Sequence, residues 1–581
     1  MSLIKRTNLL SPHSLSRRQF VTGLAGGSAL LAGCLPRALV GQETLHAQSG
    51  SGRLRLDIGY QKVNFTGKER TATTVNGSLP APVLRFKEGE RVTIDVHNNL
   101  ASDSSIHWHG IILPENMDGV PGLSFSGIKP GEHYRYQFPI LQSGTYWYHS
   151  HSGFQEQTGV YGALIIDPAD GEPFPADKDY VVVLSDWTDD KPSSVYAKLK
   201  KQSDIYNWQE RTLVDLWRDL REQGISDTAA ERHMWNTMRM SDRDISDVNG
   251  TTYTFLMNGA TPAEGWTGLF KPGEKVRLRI INASAMTLFD VRIPGLKMTV
   301  VASDGQAVEP VSVDEFRIGV AETYDVIVEP DDAAYCIFAQ SIDRTGFARG
   351  TLTPDISVEA TAPEMDPRPI LTHADMGMAH HGGHAGHSSH DMHKMHQHHG
   401  IAPAGMPSNA PIVHPESEIG PQTDMAAESP QLRLDDPGVG LRNNDRRVLT
   451  YADLKNLYTT PDMRDPGREI QLHLTGNMER YMWSIDGIRF ADAEPLKLKL
   501  GERVRITLVN DTMMNHPVHL HGMWSDLETG DPQHIPRKHT VIAQPGSKIS
   551  YLVTADAPGR WAYHCHMMYH MMSMFRVVEV S

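Results

Sequence analysis

Three stretches of this 581-residue chain repeat one design. They are "LRFKEGERVTIDVHN" (Leu84 to Asn98), "GLFKPGEKVRLRIIN" (Gly268 to Asn282) and "LKLKLGERVRITLVN" (Leu496 to Asn510). Each is a turn followed by an alternating strand, and each lies downstream of a turn dipeptide, Asn76-Gly77, Asn258-Gly259 or Asp486-Gly487. Such self-similarity means one supersecondary unit built three times. Alternation buries one face of each strand. Many short β-rich runs separated by Gly and Pro turns read as packed β-sandwiches. The chain is also too long for one ordinary core, so the expected fold is all-β with three sandwich domains.

A second repeated signal closes the first and third copies: "GTYWYHSH" and "GRWAYHCH". The last one opens His564-Cys565-His566-Met567-Met568-Tyr569-His570. Successive side chains of a strand point to opposite faces, so His564 and His566 share a face and Cys565 takes the other. A thiolate beside an imidazole, here His570, suits copper in a trigonal site. The two flanking histidines are left free to serve a second metal cluster. Three more sets of the same spacing exist: His107-Trp108-His109, His149-Ser150-His151 and His516-Pro517-Val518-His519-Leu520-His521. One His-x-His is weak as a signal, but four sets, one with Cys between its histidines, point to metal. The middle counterpart, "AAYCIFAQ", contains no histidine. Domain two is therefore expected to be a spacer without catalytic copper. The ten motif histidines then require the first and last domains to meet.

These motifs resemble those of the multicopper oxidases, and the flanking runs "SSIHWHGIILPENMDGVPGLSFSGIKPGE", "GTYWYHSHSGFQEQTGVYG" and "NASAMTLFDVRIPGLKMTVV" are similar to the CopA-type copper-resistance oxidases. The resemblance runs from about Arg53 to Ser581. It implies cupredoxin-like Greek-key sandwiches at about 51–170, 171–362 and 431–581, joined by a His/Met-rich linker at about 363–430. It implies four copper ions. Cys565, His516 and His570 would hold the blue copper. His107 and His519 would hold the lone ion of a three-copper cluster, and His109, His149, His151, His521, His564 and His566 the coupled pair. An acidic residue soon after the first His-x-His is expected to relay protons, and Asp118 occupies that place; its plainer role is a turn residue before Gly119. The family usually places an axial Met five residues after the last His, where Phe575 stands here. Either the loop is one residue shorter and Met574 coordinates, or no side chain does; the following "FRVVEV" favours Met574.

The implied reaction is one-electron oxidation coupled to four-electron reduction of dioxygen to water. Soft thioethers prefer Cu(I), and Met513, Met514, Met523, Met567, Met568, Met571 and Met572 crowd the motifs. Any one of them reads equally as core filler. The expected substrates are Cu(I) and O2, with periplasmic copper carriers as partners. Rival readings are a laccase-like phenol oxidase and a non-enzymatic copper store. The net charge of −15 disfavours nucleic acid.

The remaining segments carry less chemistry. Ser16-Arg17-Arg18-Gln19-Phe20 before the Gly-rich run Val21 to Gly33 reads as a twin-arginine export signal within about 1–50. Leu31-Ala32-Gly33-Cys34 also resembles a lipoprotein cleavage box, which would anchor the chain through Cys34. Three cysteines do not make a disulfide framework, and Cys336 reads as a buried strand residue. Ser194 to Asp247 is charged and helix-prone, with Leu213, Leu216, Trp217 and Leu220 at helical spacing and Met234, Met238 and Met240 placed for packing. His373 to His399 holds ten histidines and four methionines. It is expected to be disordered without metal and to collect copper.

Overall fold

A computed structural model describes residues 44–46, 53–378 and 401–581. The described residues form six β-sheets, two for each repeat. The repeated strands Arg91–Asn98, Val276–Asn282 and Arg503–Asn510 occupy the same position in three sheets. Each pairs parallel with the strand that opens its copy's sheet in the sequence, Arg53–Val63, Lys178–Thr188 or Arg468–Asn477. Each pairs antiparallel on its other side with His133–Pro139, Thr323–Val328 or Lys548–Thr554.

Two repeated residues explain why the copies fold alike. The turn dipeptides have positive φ at both positions: Asn76 51° and Gly77 74°, Asn258 50° and Gly259 77°, Asp486 55° and Gly487 69°. That is the backbone of the tight hairpin turn that favours Asn-Gly and Asp-Gly. The first side chain of each turn accepts a backbone N–H from the parallel strand, of Asp57, Val183 and His473 respectively. The Asn ending each repeated strand then clamps the loop beyond it. Asn98 Nδ2 donates to Ser102 and Ile128 carbonyls, Asn282 to Thr287 and Ile318, and Asn510 to Met514 and Ala543. In the first and third copies these loops lead directly into His107–His109 and His516–Leu520.

The second sheet of each outer copy carries the motifs. His107–His109 pairs antiparallel with Gly144–His149, setting His107 opposite His149. His516–Leu520 pairs with Gly559–Cys565, setting His519 opposite His564 and Val518 opposite Cys565. Lys538 anchors the third copy to the second. It is fully buried, with Nζ 3.0 Å from each of Asp304, Glu322 and Ser303 Oγ. Cys336 is buried in Tyr335–Ser341.

The insertion forms helices Pro192–Leu199, Leu213–Glu222 and Ile225–Met238. Its apolar stripe does not face the core, since Leu213 is 84 % and Trp217 62 % exposed. The second helix is held instead by a capping box between Thr212 and Asp215 and by Arg243 on Asp215. Met238 is buried, and Met234 and Met240 pack against the core. The expected disorder fails at the start of the His/Met segment. Thr372 caps a turn over His373–Met376, Met376 is fully buried, and Asp375 pairs with Arg442. Residues 379–399 of that segment lie outside the described residues, as do Cys34 and the twin-arginine stretch. The expected linker beyond it also packs, with Ala402, Ala404, Met425 and Ala427 buried. These small side chains fit against the third copy, and the Ala404 N–H bonds Asp465. No helix among the described residues is long and apolar enough to cross a membrane.

Candidate metal centres

Cys565 leaves its strand on the face opposite its histidine neighbours. Its Sγ lies 3.6 Å from His516 Nδ1 and 3.8 Å from His570 Nδ1, and those two nitrogens are 3.3 Å apart. Ligands about 2.0–2.3 Å from a first-row ion are spaced by roughly 3.3–3.8 Å. The three atoms therefore surround a point that one ion fills. All three residues are fully buried. The outer nitrogens are occupied: His516 Nε2 by Thr512 Oγ1 at 2.8 Å and His570 Nε2 by Asp247 Oδ2 at 2.7 Å. Trp483 stacks on His570 at 4.0 Å between ring centroids. Burial pushes the Cys565 thiol up, so a bound cation is what makes a thiolate affordable there. Met574 is fully buried, and its carbonyl accepts the Cys565 N–H.

The eight remaining motif histidines meet on the other face. Ring centroids of His107 and His521 are 3.9 Å apart, those of His109 and His519 3.7 Å, and those of His149 and His566 4.9 Å. Hydrogen bonds fix which nitrogen faces inward. A carbonyl only accepts, so His107 Nδ1–H donates to Asp118 O (2.8 Å), His519 Nδ1–H to His539 O (2.6 Å) and His564 Nδ1–H to Cys565 O (3.0 Å). Nε2 of His107, His519 and His151 is buried without a hydrogen-bond partner. Nε2 of His521 lies 3.1 Å from Nε2 of His564, and Nε2 of His566 lies 3.3 Å from Nε2 of His149. His109 is reversed: its Nε2 touches Thr540 Oγ1 and its Nδ1 is the orphan. Ligand atoms gather into three groups, His107/His109/His519, His109/His149/His566 and His151/His521/His564. Burial lowers His109, His149, His151, His519, His521 and His566 well below the usual imidazole range, and His564 to about 4. Neutral imidazole is the form that binds metal. Converging bare nitrogens and a buried thiol fit copper.

Carboxylates orient this cluster. Asp118 is buried, with Oδ2 2.9 Å from His521 Nδ1 and Oδ1 3.3 Å from His107 Nδ1. Its turn needs Gly119, where φ is +83° and a Cβ would stand 1.8 Å from Ile106 O. Sequence reading missed Glu156, whose Oε2 lies 2.8 Å from His149 Nδ1. Burial, then Asp186, raises Glu156 well above the usual carboxyl range. Also missed was Asp247, which binds His570 and Tyr481. Asp304 was missed too: it accepts the His539 and Thr540 N–H groups behind the cluster. Asp247 and Asp304 come from the middle of the chain, so that part does more than space the outer sandwiches. Neither carries a local sequence signal: Asp247 stands four residues after Arg243 and Asp304 lies in an ordinary Asp-Gly turn.

Multicopper oxidase family models match residues 57–171, 178–355 and 463–581. The chain belongs to the multicopper oxidases. This makes it a copper-dependent oxidoreductase with oxygen as acceptor. It is 57 % identical to a copper resistance protein A homolog of Pseudomonas syringae pv. tomato, over 98 % of this chain and 100 % of that one. It is 55 % identical to copper resistance protein A of Escherichia coli, over 97 % and 99 %. The fold matches that of Fet3p, a multicopper oxidase that functions in iron import (TM-score 0.62, 18 % identity, 93 % and 91 % covered), and that of a laccase from Botrytis aclada (TM-score 0.59, 19 % identity, 93 % and 88 % covered).

Proposed function

We propose that this multicopper oxidase oxidises Cu(I) in the periplasm, using O2, and so serves copper resistance. The sandwiches fall at about 51–170, 171–362 and 431–581. Cys565, His516 and His570 would hold the blue copper, with Met574 as the thioether beside them. His107 and His519 would hold the lone ion of the cluster, and His109, His149, His566, His151, His521 and His564 would hold the pair. Copper, when bound, supplies one-electron acceptance beside Cys565 and four-electron reduction of dioxygen at the histidine cluster. The rest is the protein's work. Cys565 joins the two centres through His564 and His566, its covalent neighbours. Asp118 keeps the Nδ1 protons of His107 and His521 in place and passes protons inward. Glu156, buried with Oε2 2.8 Å from His149 Nδ1, is a second carboxyl placed to move protons at the cluster.

The observation that favours Cu(I) over phenols is the cover on His570. That ring is fully buried, and Asp247 and Tyr481 occupy its outer edge, so a flat organic substrate has no access to it. A cleft nearby is lined by Asp204, Met240, Asp244 and Met478, together with Lys201 and the paired Arg239 and Glu479. Carboxylates attract a cation and thioethers select Cu(I). Most motif methionines, namely Met513, Met514, Met523, Met567 and Met568, are buried packing residues. The twin-arginine stretch supports export, and the 379–399 segment supports copper collection and exchange with carriers. Oxygen uptake tests the reading: Cu(I) should drive turnover at least tenfold faster than a phenol, and the reverse order would reject it.

A further inference from the structure

A second constellation of metal-ligating side chains lies in the third repeat, apart from the catalytic centres. His473 belongs to Arg468–Asn477, and Asp511 directly follows the neighbouring strand Arg503–Asn510. His414 and Glu418 come from the segment before them, with Glu418 in the turn Glu416–Glu418. Their ligand atoms all lie within 4.8 Å of one another. His414 Nδ1 is 2.8 Å from Glu418 Oε2 and 3.9 Å from Asp511 Oδ2. His473 Nδ1 is 2.7 Å from Asp511 Oδ2 and 3.1 Å from Glu418 Oε1.

The arrangement is built rather than incidental. The Asp486-Gly487 turn is pressed against the short turn that carries Glu418: a Cβ at Gly487 would stand 2.1 Å from Ser417 O, and Ser417 Oγ donates to Asp486 O. Asp511 Oδ1 is used by the Ala427 N–H, leaving Oδ2 for the cluster. Glu418 is 4 % exposed, and its Oε1 reaches into the cluster with no hydrogen-bond partner. One N–H on His473 cannot satisfy two carboxylates at once. Two buried carboxylates beside two imidazoles carry a charge that a single divalent ion neutralises. Burial pushes Glu418 up to about 8 when no ion is there. The His414 side chain, 30 % exposed, gives access from solvent.

We infer that His414, Glu418, His473 and Asp511 form a further mononuclear site for a divalent transition-metal ion, and that Cu(II) is its preferred occupant. Two nitrogens and two oxygens without sulfur suit a cupric rather than a cuprous ion, and among divalent first-row ions Cu(II) binds such donors most tightly. The view that this ion is the enzyme's own product rests on cuprous oxidation; the site itself does not.

Crystals of the full chain soaked in CuSO4 should show an anomalous peak at the copper edge between these four residues. In solution, Glu418→Gln and His414→Ala should each lose one tightly held copper after chelator washing and bind added Cu(II) at least 100-fold more weakly. The blue absorption and Cu(I)-driven oxygen uptake should stay unchanged. The ordinary cupric spin-resonance signal of the oxidised protein should fall by about half, because this site and one cluster ion both contribute to it. A site without density in the soaked crystal, or a Glu418→Gln protein that retains every copper, overturns the inference. Loss of cuprous oxidation with the peak present would reject the proposed activity and leave this site standing.

Discussion

Replacing Asp118 by Asn separates a proton relay from a turn residue. The backbone roles survive the change: Asp118 O still accepts from His107 Nδ1, and its N–H still bonds Glu115 O. What disappears is one negative charge and one of two acceptor oxygens. In the native protein Oδ2 faces His521 Nδ1 at 2.9 Å and Oδ1 faces His107 Nδ1 at 3.3 Å. The amide offers one oxygen, so it turns toward His521 and sets an NH2 against the His107 ring. A hydrogen bond to a charged group is worth about 1.5–3 kcal/mol, or a factor of roughly 10–150. Loss of a partner behind a metal ligand costs about 10–100-fold in activity, which agrees. Cys565, His516 and His570 do not touch Asp118, so the blue absorption should persist. Oxygen uptake with saturating Cu(I) should fall by about 10–100-fold at pH 7. An Asp118→Asn protein with native copper content and native turnover would refute the reasoning.

Other perturbations give separate readouts. Asp247→Asn removes a buried negative charge 2.7 Å from His570 Nε2; redox titration should show a raised potential at the blue copper with its absorption retained, and an unchanged potential would contradict the contact. Lys538→Met leaves Asp304 and Glu322 buried without their cation, which costs about 3–5 kcal/mol; calorimetry should show the first unfolding transition at clearly lower temperature. Gly119→Ala forces a Cβ into Ile106 O and so displaces Asp118 and His107; metal analysis should find cluster copper lost while Cys565 keeps its own.

Local rules made much of this protein legible in its sequence. The Asn-Gly and Asp-Gly turns specify the same hairpin three times through their own backbone, and the terminal Asn98, Asn282 and Asn510 each clamp a carbonyl four or five residues on as well as a distant one. The alternation through His564-Cys565-His566 likewise assigns faces without any tertiary knowledge. Asp247, Glu156 and Asp304 were invisible because each meets its histidine from 323, 7 or 235 residues away by fold rather than by spacing, and a lone carboxylate has no signature. The helix Leu213–Glu222 shows the opposite failure. Its apolar residues stand at helical spacing, yet capping and the Asp215–Arg243 pair hold it with Trp217 outward. The start of the His/Met segment misled through composition, since one cap at Thr372 and one buried Met376 suffice to fix it.

A single sulfur, Cys565 Sγ, stands between the two metal sites. Copper counting with absorption and spin-resonance spectra on Cys565→Ser, beside the unaltered protein, tests it most directly. The variant should lose the blue absorption and one copper, with the signals of the histidine cluster retained. A variant that stays blue, or one whose copper content is unchanged, would contradict it.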